Sequence, residues 1–199
     1  MLQFQLRPNP RYSLAELAQM AIEGGCGWIV LSAPGVTDEA LREEFAELVP
    51  LCREAEVIFT VEDRPEAARE HGLHGVYLSS TSGISPAKVR EELGAEAIIG
   101  VEAGSASTIR PLEAMDIDYA VLSPTLSIDK CEEIIRDVRS AGATLPIVAA
   151  FPPTAEIAAE LISRGASGIL AGKYISGADD PVEATRRLTA AIAEAGGNA

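Results

Sequence analysis

Gly24-Gly25-Cys26-Gly27-Trp28-Ile29-Val30-Leu31 decides the fold: glycines able to end a helix precede four consecutive apolar residues of strand length. Upstream, Ser13-Leu14-Ala15-Glu16 has the spacing of a capping box, in which Ser13 and Glu16 each satisfy an orphan backbone N–H. Helix, glycine stop and short apolar run form one unit, and that unit recurs along the chain. The runs fall at 3–6, 28–31, 57–61, 75–78, 98–101, 119–122, 146–149 and 168–171. Between them, Asp180-Pro181-Val182-Glu183 repeats the capping-box spacing, and Ser85-Pro86 offers an N-cap with proline at the first helical position. Thr37 and Thr154 are further N-cap candidates, and Gly72, Gly94, Gly142 and Gly165 mark helix ends.

Eight buried strands joined through helices must run parallel, because each crossover covers a face of the sheet. Eight such units close into a (β/α)8 TIM barrel, expected as one domain over 1–195 with a frayed tail at 196–199. An open doubly wound sheet is the alternative; it normally has fewer units and often a glycine-rich first turn, which this chain lacks.

A length of 199 residues suits one core better than two. Hydrophobic residues make up 47% and charged residues 23%, and no apolar run approaches the roughly 20 residues that cross a bilayer. A soluble protein with no membrane partner is expected. The first residues, Met1-Leu2-Gln3-Phe4-Gln5-Leu6, have no basic n-region or long apolar stretch, so the expected location is cytoplasmic. Cys26, Cys52 and Cys131 have neither zinc-ligand spacing nor an even count, so buried free thiols are expected. A formal charge of -14 with scattered Lys and Arg excludes nucleic acid as a partner. A phosphorylated small molecule would need a local site of opposite bias. Exposed helix faces are compatible with a homo-oligomer.

In such barrels the reactive groups stand at the C-terminal ends of the strands and in the loops that follow. That face gathers Arg7, Ser32, Glu62, Asp63, Arg64, Glu102, the segments 79–82 and 123–130, and the segments 150–154 and 172–174. His71 and His74 precede the fourth strand, so both belong to the opposite face and take structural or solvated roles.

The order and spacing of these segments resemble the thiamine phosphate synthase and thiazole tautomerase family over nearly the whole chain. The resemblance rests on the stretch quoted first and on Val57-Ile58-Phe59-Thr60-Val61-Glu62-Asp63-Arg64, Gly75-Val76-Tyr77-Leu78 and Ile99-Gly100-Val101. It continues through Asp118-Tyr119-Ala120-Val121-Leu122-Ser123-Pro124, Pro146-Ile147-Val148-Ala149 and Gly165-Ala166-Ser167-Gly168-Ile169. It implies a barrel that handles phosphorylated thiazole and pyrimidine compounds with magnesium.

Several departures bear on function. Where the resemblance implies Gln-Leu-Arg-x-Lys for the pyrimidine diphosphate, the chain has Val30-Leu31-Ser32-Ala33-Pro34. Each lost charge-assisted hydrogen bond is worth about 1.5 to 3 kcal/mol. Asp63 matches a magnesium ligand, while the second metal carboxylate is replaced by the serines and threonine of 79–82. Asp63 has a second reading as an N-cap, with Glu66 completing a capping box. Past the fifth strand, Val101-Glu102-Ala103-Gly104-Ser105 lacks the implied proton-transferring histidine. Glu102 could move a proton if burial brought its pKa toward neutrality, with Glu62 as a second carboxylate across the mouth. Otherwise Glu102 is a surface carboxylate or a partner of Arg64.

At the implied phosphate end, Ser127 and Lys130 keep a hydroxyl and a cation, although Asp129, Glu132 and Glu133 equally account for the lysine. Phe151-Pro152-Pro153 replaces a glycine-rich cradle, and Gly172-Lys173 offers close backbone approach plus a point charge. Three functions stay open: a thiamine-pathway enzyme acting on a thiazole phosphate, a non-catalytic relative binding a phosphate ligand or a protein, and another phosphate-substrate isomerase using Glu62 or Glu102.

Overall fold

Each apolar run becomes a strand: β1 (Leu2–Leu6), β2 (Trp28–Leu31), β3 (Ile58–Glu62), β4 (Gly75–Leu78), β5 (Ile98–Ala103), β6 (Tyr119–Leu122), β7 (Ile147–Ala150) and β8 (Gly168–Ala171). This computed structural model describes residues 1–150 and 154–196, so Phe151-Pro152-Pro153 and 197–199 lie outside the described residues. All neighbours pair in parallel, and β8 pairs with β1 to close the barrel. The fold is the (β/α)8 TIM barrel expected from the sequence.

Three strands reach further toward their C-terminal ends than hydrophobicity suggests, because the ladder runs as far as a neighbour can answer it. Glu62 pairs with Tyr77, Ala103 with Leu122 and Ala150 with Leu170. Pro146 has no N–H to give the ladder, so β7 starts one residue later. The consequence for function is direct: Glu62 and Glu102 stand on strands, not on loops.

The outer layer comprises α1 (Leu14–Glu23), α2 (Asp38–Glu54), α3 (Pro65–His71), α4 (Pro86–Leu93), α5 (Ala106–Ile109), a 3-10 turn (Arg110–Met115), α6 (Ile128–Ser140), α7 (Ala155–Ser163), α8 (Lys173–Ser176) and α9 (Pro181–Gly196). The fifth crossover is thus one α-turn and a 3-10 turn, where Pro111 interrupts a longer helix. Ser13 and Glu16 form the full capping box, and Thr37 and Thr154 cap α2 and α7. At α9 only half of the expected box forms: Asp180 accepts from Glu183 N, while the Glu183 carboxylate turns to Arg186 and Arg187. Ser85 holds the N-cap position of α4 without a side-chain bond. α9 runs through Gly196, one residue into the expected tail.

Strand alternation divides the core in two. Trp28, Val30, Tyr77, Tyr119, Val121, Val148, Ala150 and Leu170 fill the barrel, while Ile29, Leu31, Phe59, Val76, Ile99 and Leu122 face the helices. Inside, the Trp28 indole N–H donates to Thr60 Oγ1 at 3.0 Å and meets Tyr119 edge-on at 5.3 Å. Gly100 pairs with Tyr119, and its missing side chain makes room for that ring. At the N-terminal face His71 stacks on Phe45, and His74 Nδ1 accepts from Phe59 N at 3.0 Å, the structural roles expected of both. The three cysteines are free and buried; burial pushes the Cys26 thiol up to about 11 and Cys52 to about 12, which leaves both unreactive near neutrality.

A Cβ at Gly100 would lie 2.1 Å from the Tyr119 ring. Gly100→Ala should therefore lower unfolding free energy by about 1 to 3 kcal/mol through overpacking, read as a lower urea midpoint at unchanged slope. An unchanged midpoint would show that the Tyr119 ring is free to retreat.

Candidate functional site at the barrel mouth

The inward parity that fills the barrel with apolar groups continues upward into polar ones. Gln5, Glu62, Tyr77 and Glu102 stand on β1, β3, β4 and β5, with Ser32 just past β2. Tyr77 lies between the two glutamates. It pairs with Glu62 on one side and Gly100 on the other, two residues below Glu102.

The Tyr77 hydroxyl donates to Glu102 Oε2 at 3.0 Å, and Ser80 N donates to the same oxygen at 3.2 Å. Burial, then the charge of Glu102 and its hydrogen bond, then Glu62, push the Tyr77 phenol well above its ordinary value. Tyr77 therefore remains a protonated donor that fixes the Glu102 side chain. Glu102 is neither a free surface carboxylate nor a partner of Arg64. Glu62 is held more loosely, with Gln5 Nε2 at 3.4 Å and an Arg7 nitrogen at 3.9 Å.

Asp63 follows β3 in a left-handed conformation, φ 55°. Its Oδ1 accepts from Ser79 N at 2.8 Å and its Oδ2 from the Ser79 hydroxyl at 2.6 Å. The expected N-cap role does not form: Arg64 occupies that position of α3, without a side-chain bond, because Asp63 turns across to β4 instead. The Arg64 guanidinium is committed to Asp38 and to the carbonyls of Ala33 and Val36. It braces the loop after β2.

On the far side of the mouth, Ser127 caps α6 by accepting from Lys130 N at 3.3 Å, and Lys130 Nζ donates to Glu133 Oε1 at 2.7 Å. That pair holds the exposed Glu133 carboxyl below its ordinary value. Of the two readings of Lys130, the acidic neighbour is the one that the geometry displays. Gly172 precedes α8, its carbonyl accepting from Ile175 N at 3.0 Å and Ser176 N at 3.1 Å. Lys173 is exposed and forms no ion pair with the described residues. A Cβ on Gly172 would sit 3.5 Å from Gln5 Oε1, so Gln5 lies beside both Glu62 and the β8 turn. Asn9 Nδ2 donates to Ser176 O and ties the β1 loop to α8.

The expected residues thus separate by use. Glu102 is bonded by Tyr77, with Glu62 its ladder neighbour on the other side; Gly172 lies beside Gln5 and Lys173 follows it, exposed; Asp63, Ser127 and Lys130 are engaged with Ser79, the α6 turn and Glu133. Tyr77, Gln5 and Ser80 N join the site without a motif to announce them. The signal for the first two is strand alternation, since each lies an even number of residues from a polar mouth position.

The family pattern described as TMP-TENI, thiamine monophosphate synthase, matches residues 5–175. The thiamine-phosphate synthase of Bacteroides fragilis is 31% identical over 199 aligned residues, covering 94% of this chain and 97% of that protein. That of Natronomonas pharaonis is 32% identical over 191, covering 90% and 88%. Among solved structures, thiamine phosphate pyrophosphorylase from Pyrococcus furiosus superposes with a TM-score of 0.86 at 24% identity, covering 98% of this chain and 96% of that one. A 3-hexulose-6-phosphate synthase superposes with a TM-score of 0.73 at 16% identity, a likeness of fold alone. The full-length match, carried on a closed barrel whose mouth gathers the polar groups, makes this chain a member of the thiamine-phosphate synthase family.

Proposed function

We propose that the chain acts on a phosphorylated thiazole at the C-terminal mouth of the barrel, as an enzyme of thiamine phosphate formation. The observation that carries this reading is Glu102, held by the Tyr77 hydroxyl and Ser80 N on the inward face of β5. Both bonds go to Oε2, which leaves Oε1 to exchange a proton with a bound substrate. Glu62, on the other side of Tyr77, is the second carboxylate. Phosphate would be received near Gly172 and Lys173, where a short helix follows β8 and a lysine stands unpaired among the described residues; such barrels commonly bind phosphate there. Family membership supports the substrate class, and the absence of a histidine after β5 makes a carboxylate the group for proton transfer.

A second reading, a relative that binds the phosphorylated ligand without turning it over, is favoured by Asp63 and Lys130, which are spent on Ser79 and Glu133. The assay separates the two. Purified protein should isomerise the thiazole carboxylate phosphate or join thiazole phosphate to the pyrimidine diphosphate. Glu102→Gln should lower kcat by about a hundredfold or more, the usual contribution of a positioned acid or base. Binding of thiazole phosphate with neither product would establish the second reading and end the first.

Magnesium does not fit the residues that the resemblance assigns to it. Both Asp63 oxygens receive hydrogen bonds from Ser79, and the serine that stands in the second carboxylate's segment acts as donor, not ligand. No step through magnesium follows from this arrangement. Millimolar magnesium or EDTA should leave the melting temperature unchanged, whereas a magnesium-dependent rise would show that Asp63 releases Ser79 to take the ion.

A further inference from the structure

A groove of about 740 Å³ lies away from the mouth, on the helical layer. Its base is α1, which packs against α2 on one side and α9 on the other. Glu16, Gln19, Met20 and Glu23 recur at helical spacing and share one face of α1, and that face lines the groove. Glu47 and Leu51, one turn apart on α2, form one wall; residues 179–182, leading into α9, form the other.

Apolar and charged groups are arranged differently there. Tyr12, Met20, Leu51 and Val182 are partly buried and Pro181 is buried, whereas Glu16, Glu23, Glu47, Asp179 and Asp180 are exposed. An apolar base thus runs between carboxylates. No lysine or arginine lines the groove, and among the described residues none of these five acids forms an ion pair. Arg11 sits beside it, its guanidinium 5.1 Å from the centroid of the Tyr12 ring. Three of the acids accept only from uncharged donors: Glu16 from Ser13 N, Glu23 from Gln19 Nε2 and Asp180 from Glu183 N. Such bonds leave the negative charge in place. Its effect reaches along α2, where burial and then the charges of Glu47 and Glu43 raise the Glu44 carboxyl above its ordinary value.

We propose that this groove docks a basic amphipathic helix of a partner protein, its apolar side chains on Met20, Leu51 and Val182 and its lysines or arginines against the carboxylates. α1 spans 10 residues, roughly 15 Å, a length that matches about three turns of a docked helix. Long basic side chains suit the rim, because their stems cover apolar surface while their heads reach the acids. A two-fold contact between copies of this chain would set the same carboxylates against one another, on a chain of formal charge -14. Charge therefore selects a basic partner over a second copy. Tyr12 follows Asn9 closely in the chain, and Asn9 ties the β1 loop to α8, so the docked helix borders the loops of the mouth without occupying it.

The probe is a capped peptide of two Leu-Lys-Lys-Leu-Leu-Lys-Leu repeats, tested by calorimetry at about 0.15 M salt, where exposed charges are screened beyond roughly 8 Å. It should bind saturably with a dissociation constant of about 100 μM or tighter. The same peptide with every lysine replaced by glutamate, or every leucine by serine, should not bind. Glu47→Lys combined with Asp179→Lys should weaken binding by about tenfold or more, whereas Glu91→Lys with Glu96→Lys, an equal change of net charge on α4 and the turn after it, should change it by less than about twofold. Neither pair touches the mouth, so turnover there should be unaltered. Equal binding of the serine peptide, equal loss in the two charge-matched variants, or no saturable binding would overturn the proposal. So would self-association in sedimentation velocity that Glu47→Lys abolishes, which would give the groove to a second copy. Should the groove variant fail to fold, amide NMR of the unaltered protein decides: the lysine peptide should shift Gln19, Met20 and Val182, and shifts confined to other surfaces would contradict the site.

Discussion

Closure of the eight-stranded ladder is the constraint on which the rest depends. Once β8 pairs with β1, the period-two alternation of every strand is locked to one interior, and no residue can change sides without breaking two ladders. Trp28, Tyr77 and Tyr119 must then share the inside, and the Tyr119 ring fits because Gly100 opposite it has no side chain. The same alternation, carried two residues further, delivers Glu62 and Glu102 to the mouth on rigid backbone. Chemistry at this site is therefore inherited from register.

Charge distinguishes this mouth from the one that the family resemblance implies. Serine and proline stand where an arginine and a lysine are implied, and glutamates stand on both sides of Tyr77. The groups that would have served a metal or a phosphate are turned to internal use, Asp63 joining β3 to β4 through Ser79 and Lys130 pairing within its own helix. What remains available is a pair of carboxylates on one side and the Gly172–Lys173 turn on the other.

The fold was largely legible in the sequence because its signals are local. Capping by Ser13, Thr37 and Thr154 and the positive φ of Gly72 and Gly165 involve residues within a few positions of each other. The rule that sorts strand ends by face also placed His71 and His74 correctly. The site was legible only in outline. Glu62 and Glu102 followed from their position at strand ends, but Tyr77 reaches Glu102 across 25 residues and Asp63 reaches Ser79 across 16. Those pairings depend on which residues of adjacent strands stand side by side, a property that no short motif encodes. Asp63 illustrates the cost: its spacing to Glu66 spells a capping box, yet two hydrogen bonds from Ser79 outcompete it.

The most direct test of this account is a crystal structure of the protein with thiazole phosphate bound. The account predicts the phosphate against the Gly172–Lys173 turn and the heterocycle against Glu62 and Glu102 at the mouth, with Tyr77 still donating to Glu102. Phosphate held by Lys130 after release of Glu133, or a ligand bound away from the C-terminal mouth, would contradict it.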